Sequence, residues 1–175
     1  MKVINMFGGP GSGKTSGAIG TTWEMIKAGL RVEFFHEYAK IPAYEQNKAQ
    51  FEDQLLLTAQ QNRPLWLIKN KVDFVVSDSP LIQSIQYKPD DYFPEFYNDF
   101  IFELWDYYDN VNFFVKRCKQ YVTEGRNESL SESERIDVDV MEMLTKRNIP
   151  FHTVWGDENI GKVIMGHLIE DGVVS

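Results

Sequence analysis

The chain is poor in the residue types that build covalent or metal-held frameworks. Its 175 residues include one cysteine, Cys118, and three scattered histidines, His36, His152 and His167. A disulfide framework within one chain is excluded, as is a cysteine-based metal site, and the histidines lack zinc-site spacing. A reducing, cytoplasmic setting is expected. No run of 18 apolar residues occurs, so no membrane-spanning helix is expected. Lys2 leads straight into an apolar run, without a signal-like segment. No repeat, low-complexity tract or linker divides the sequence, so one domain over residues 1–175 is expected. Positive charge is scarce: 18 Lys and Arg against 26 Asp and Glu leave a net charge of −8. That balance argues against a broad nucleic-acid-binding surface. The densest basic cluster, Lys116, Arg117, Lys119 and Arg126, is a local exception.

What the chain does have is glycine in one place. Residues 8 to 15 read Gly8-Gly9-Pro10-Gly11-Ser12-Gly13-Lys14-Thr15, a complete Walker A loop after the apolar run Val3–Phe7. Phosphate binding needs backbone amides converging on one point, hence small residues and positive φ, and the helix that follows adds its positive end. Gly9, Pro10, Gly11, Ser12, Gly13, Lys14, Thr15 and Ser16 form the expected nucleotide-binding set. Lys14 reaches the β- and γ-phosphates in this reading, and the Thr15 hydroxyl holds Mg²⁺. ATP and Mg²⁺ are the implied cofactors.

Short β-rich runs alternate with helical patterns, which predicts a parallel sheet covered by helices. Strands are expected near residues 3–7, 31–36, 72–77, 111–115 and 151–155. Ile19, Trp23, Ile26 and Leu30 recur at helical spacing and predict the buried face of the first helix. A long helix is expected from about Tyr44 to Asn62, broken by Pro64. Residues 87–108 are rich in aromatics, and Phe93, Phe96, Phe100 and Trp105 predict an amphipathic core helix, with Tyr87 and Tyr92 available for stacking. Ser131-Glu132-Ser133-Glu134 predicts a capping box opening a helix toward Arg147.

Two carboxylates stand at strand ends. Asp78 closes the third strand, where a Walker B acid holds the Mg²⁺ shell; the alternative is a cap for the segment after Pro80. Glu37 closes the second strand, where it can accept a proton from an alcohol during phosphoryl transfer; the alternative is a surface turn. Arg117 and Arg126 flank a polar stretch, approximately 117–131, suited to a lid over ATP. Gln54, Gln60, Gln61 and Arg63 follow Glu37 on a helix, where a glutamine amide could pair with a pyrimidine edge. Asn70-Lys71-Val72-Asp73 spells the guanine-reading NKxD, but it leads into a strand rather than following one late in the fold.

The strings NMFGGPGSGKT, HEYAK (36–40), DSP (78–80) and KR...Y...GRN (116–127) together resemble a family of small phage-encoded P-loop kinases that includes the 5-hydroxymethyluracil DNA kinases. The resemblance spans Lys2 to about Asp157. It implies an α/β fold of the P-loop NTPase type: a three-layer, nucleoside/nucleotide-kinase-like arrangement with a five-stranded parallel sheet and a lid. It also implies ATP-dependent phosphorylation of the 5-hydroxymethyl group of 5-hydroxymethyluracil in phage DNA, a step in base hypermodification, in the host cytoplasm. The catalytic set carried over is Lys14, Glu37, Asp78 and Arg126, with Arg117 on the nucleotide and Thr15 and Asp78 on the metal. Two other readings stay open at this point: a kinase of a free nucleoside, nucleotide or small metabolite, and a nucleotide-switched binding protein or non-kinase ATPase. The oligomeric state is not written in the sequence.

Overall fold

A computed structural model describes residues 1–45, 47–89, 94, 96–122 and 128–174. Five strands form one sheet in the order β2-β3-β1-β4-β5. They are β1 Lys2–Phe7, β2 Val32–Phe35, β3 Phe74–Ser77, β4 Asp109–Lys116 and β5 His152–Trp155, and every pairing is parallel. A strand covered on both faces reads as a continuous apolar run, which is what Val3-Ile4-Asn5-Met6-Phe7 supplies at the centre. The interruption, Asn5, is satisfied within the sheet: its amide donates to Asn112 Oδ1 at 3.0 Å and Asn110 Oδ1 at 2.9 Å.

Side chains alternate between two cores, as the period of two requires. Val3, Phe7, Val75 and Phe114 face a layer made of a 3-10 helix (Leu81–Tyr87), α5 (Tyr97–Asp106) and α6 (Leu130–Lys146). Ile4, Met6, Val76, Phe113 and Val154 face α1 (Lys14–Lys27) and α7 (Ile160–Glu170). Between β2 and β3 run three helices, α2 (Lys40–Tyr44), α3 (Lys48–Glu52) and α4 (Gln54–Ile68). Among the described residues no helix is long and apolar enough to cross a membrane.

Four local expectations are corrected. The stripe Ile19, Trp23 and Ile26 is outside, at 53%, 58% and 51% exposure, while Gly17, Ala18, Thr21, Thr22 and Met25 are buried. The reason is the closeness of α7: a Cβ on Gly17 would come within 2.7 Å of Ile160, and one on Gly161 within 2.4 Å of the Gly20 backbone. Only small residues allow that approach, so the packing face is the less hydrophobic one. The single long helix is instead divided by side-chain caps, with Asn47 accepting from the Gln50 amide and Asp53 from the Leu56 amide, while Pro64 lies inside α4. The capping box uses Ser129 and Glu132 rather than the pair two residues later. In α5 the buried residues are Tyr97, Ile101, Phe102 and Trp105, whereas Phe96 and Phe100 are exposed; Tyr92 and Phe93 lie outside the described residues.

Because the α1–α7 contact tolerates no added atom, Gly161→Ala is expected to cost about 1–3 kcal/mol of stability. Trp23→Ala, on the exposed stripe, is expected to change stability by less than about 0.5 kcal/mol. Urea unfolding of the two variants beside the parent protein checks the contrast.

Candidate active site

The chain leaves the centre of the sheet at Phe7 and turns at once into the P-loop. Gly13 caps α1 with φ 109°, in the left-handed region, and a Cβ there would lie 2.9 Å from Gly156 Cα, so glycine is required twice over. Lys14 is buried at the helix start, and its ammonium donates to the carbonyls of Gly8 at 2.6 Å and Gly9 at 2.9 Å. Burial pulls the Lys14 pKa below its ordinary value, against the opposing pull of Glu37, Asp78 and Asp137. Gln83, on the 3-10 helix, donates to the same Gly8 carbonyl at 2.8 Å.

Asp78 is 1% exposed and gathers the ends of three strands. Its Oδ1 accepts from the Glu37 amide at 2.8 Å. Its Oδ2 accepts from the Thr15 hydroxyl at 2.6 Å and lies 3.0 Å from His36 Nδ1. Lys40 Nζ donates to Thr15 Oγ1 at 3.0 Å and sits 3.8 Å from Asp78 Oδ2. The cap alternative is not used, since the 3-10 helix begins at Pro80 without a side-chain cap. Among the described residues no group of three or more His, Cys, Asp or Glu could hold a metal ion. The hydroxyl and carboxylate of Thr15 and Asp78 form an oxygen donor pair, the chemistry that suits Mg²⁺ shared with phosphates.

Glu37 follows β2 and is half-buried, fixed through its amide to Asp78. Burial raises its carboxyl pKa above the ordinary glutamate value; Lys14 and Lys40 oppose that rise, and Asp78 and Glu128 add to it. Glu37 and Lys14 line one cavity of about 410 Å³. Its far wall consists of Gln54, Leu57, Thr58 and Gln61 from α4 and Leu81, Gln83, Ser84 and Tyr87 from the 3-10 helix. Gln61 already accepts from the Tyr38 amide at 3.0 Å. Thr58 Oγ1 is buried with no hydrogen-bond partner among the described residues. Burial pushes the Tyr87 phenol far above its usual pKa, so it is a neutral hydroxyl on this wall.

The remaining expected residues are dispersed. Gln60 and Arg63 do not line the cavity, and Arg63 is exposed. Arg117 Nη1 donates to the Pro10 carbonyl at 2.5 Å, and its Nη2 pairs with Asp137 at 2.8 Å. Lys116 lies over the Trp155 ring, while Lys119 lines the cavity. Arg126 lies outside the described residues. Asp73 of NKxD pairs with Arg31 where β3 begins, at the edge of the sheet opposite the P-loop. Sequence reasoning missed His36 as an Asp78 partner, Tyr87 as a cavity hydroxyl, and Ser133 and Asp137 altogether. The first sits beside Glu37 and could have been found from strand-end adjacency; the last two carry no local signal.

Residues 3–159 match the model of a family described as the AAA domain. No curated protein matches the chain. Similar solved structures include a deoxyadenosine kinase from M. mycoides with products dCMP and a flexible dCDP bound, at 18% identity and TM-score 0.59. The same enzyme with bound dATP gives 18% identity and TM-score 0.56. Each alignment covers 97% of this chain and 100% of the other, so the two share one P-loop NTPase fold from end to end.

Asp78→Ala would strand the Thr15 hydroxyl and the Glu37 amide and remove one of the carboxylates beside Lys40. A loss of about 3 kcal/mol in unfolding free energy is expected. Lys40→Met, which removes only a part-exposed partner, is expected to cost less than about 1 kcal/mol. Urea unfolding at neutral pH measures both.

Proposed function

The chain belongs to the AAA domain family, and from that membership and its active-site cavity we propose that it is an ATP-dependent phosphotransferase acting on an alcohol of a nucleoside or nucleotide. One observation carries this reading: the P-loop lysine and the Glu37 carboxylate open into the same cavity of about 410 Å³. Hydrolysis alone needs room for a water molecule. This cavity continues past Glu37 between α4 and the 3-10 helix, at a size typical of small-molecule sites. Its wall mixes apolar surface from Leu57 and Leu81 with the polar side chains of Gln54 and Gln61, a lining suited to a base and a sugar. The end-to-end fold likeness to a deoxyadenosine kinase supports the same class of acceptor.

The mechanism follows from the placement. Backbone amides of the P-loop and Lys14 take the charge of the β- and γ-phosphates. Thr15 and Asp78 would hold Mg²⁺, which when bound neutralises charge between those phosphates. The acceptor hydroxyl attacks phosphorus in line; its O–P bond forms as the bond to the ADP oxygen breaks, and Glu37 receives the hydroxyl proton. A carboxylate with raised proton affinity is a better base for this step than an exposed one. Arg126 stabilises the transferring charge in this reading, while Arg117, tied to the Pro10 carbonyl and Asp137, supports the P-loop.

A second reading follows from the HEYAK, DSP and GRN strings: the acceptor is the hydroxymethyl group of 5-hydroxymethyluracil in phage DNA. The same cavity would then take a flipped-out base. The net charge of −8 disfavours this acceptor, since affinity for a DNA backbone comes mainly from Lys and Arg contacts.

Transfer of γ-labelled phosphate separates the two. The acceptors are deoxyadenosine, 5-hydroxymethyldeoxyuridine, its monophosphate, and DNA containing 5-hydroxymethyluracil beside a thymine control. Label in a free nucleoside or nucleotide is the expected result; label only in the modified DNA selects the second reading, and label in none contradicts both. Glu37→Gln is expected to lower kcat by a factor of about 10² to 10⁴ while MgATP still binds. In the parent enzyme kcat/KM rises with pH along a limb set above the ordinary glutamate range, because Glu37 must lose its proton to act. In Glu37→Gln that limb disappears; its survival would remove Glu37 from the role of base.

A further inference from the structure

The outer limb of the P-loop, Gly9–Pro10, is held from behind by α6 and by the residue that follows β4. The Gly9 amide donates to Asp137 Oδ1. The Pro10 carbonyl accepts from Ser133 Oγ at 2.7 Å as well as from Arg117 Nη1. Arg117 Nη2 closes the ring, 2.6 Å from Ser133 Oγ and 2.8 Å from Asp137 Oδ2. Ser133 and Asp137 are four residues apart, so they lie on one face of α6.

Gly9 gives an independent sign of the same contact. The Walker pattern calls for glycine at positions 8 and 13, not at 9, and Gly9 has no positive φ. A Cβ there would nevertheless lie 2.3 Å from the Ser133 carbonyl oxygen and 3.0 Å from Asp137 Oδ1. Its glycine is therefore demanded by the approach of α6 and not by the turn.

An anion site must aim amides inward and carbonyl lone pairs away. Two donors hold the Pro10 carbonyl toward α6, and one carboxylate holds both the Gly9 amide and the Arg117 guanidinium. We propose that Asp137 is a positioning residue for nucleotide binding, setting the shape of the P-loop's outer limb before phosphate arrives. It touches neither phosphate nor acceptor. This inference rests on the reading of the P-loop as a nucleotide site.

Calorimetric titration with MgADP tests it, at a temperature well below the unfolding of every variant. Asp137→Asn keeps an acceptor for the Gly9 amide but offers Arg117 no charge, and is expected to weaken MgADP about tenfold. Ser133→Ala removes the bond to the Pro10 carbonyl and one acceptor of the Arg117 guanidinium, and is expected to weaken it about threefold, which keeps the test alive should the first variant not fold. Arg135→Ala, on the exposed face of the same helix, is expected to leave the affinity unchanged. An Asp137→Asn protein that is folded and binds MgADP within about twofold of the parent overturns the proposal, since a merely structural role lowers melting temperature without changing affinity. A parent protein that binds no MgADP overturns the nucleotide-site reading itself, and this inference with it.

Discussion

A carboxylate buried to the degree of Asp78 has to find a partner for each oxygen, and the partners it finds belong to different strands. One oxygen takes the Glu37 amide from the end of β2; the other takes the Thr15 hydroxyl from the P-loop and stands beside His36 and Lys40. Removing the buried carboxylate strands all of these partners at once, which costs far more than an exposed pair contributes. The spacing between the P-loop and Glu37 is therefore set by a single side chain. Strand order makes this arrangement available: β3 lies between β1 and β2, so its C-terminal residue is within reach of both neighbours. Ligands in open α/β sheets bind at this edge for the same topological reason.

The P-loop itself is clamped from three sides. Gln83 holds its first carbonyl, Gly156 lies against Gly13, and Ser133, Asp137 and Arg117 hold its outer limb. A loop that must present several amides to one anion gains affinity from such preorganisation, because binding then orders less backbone. Glycine serves two different purposes within eight residues: conformation at Gly13 and clearance at Gly9.

The readings from sequence that hold are those carried by short strings. Five β-rich runs, a glycine loop and two strand-end carboxylates each encode their place within a few residues, and the loop and both carboxylates meet at one edge of the sheet. The readings that failed involve a neighbour distant in sequence. Hydrophobicity put Ile19, Trp23 and Ile26 inside, but α7, some 140 residues on, packs against the small residues of α1 instead. Ser133 and Asp137 carry no periodicity or motif that points to a glycine 128 residues earlier. The helix divisions at Asn47 and Asp53 are locally encoded by capping side chains, whereas Pro64 is accommodated inside α4.

Transfer of the bound phosphate to an alcohol in the Glu37 cavity, and not to water, is read from the rate of ADP formation from MgATP with and without a nucleoside acceptor, in the same preparation. Slow ADP formation alone and a large, saturable rise with acceptor, matched mole for mole by phosphorylated product, are expected. ADP released equally fast without acceptor, with free phosphate as the product, would contradict it.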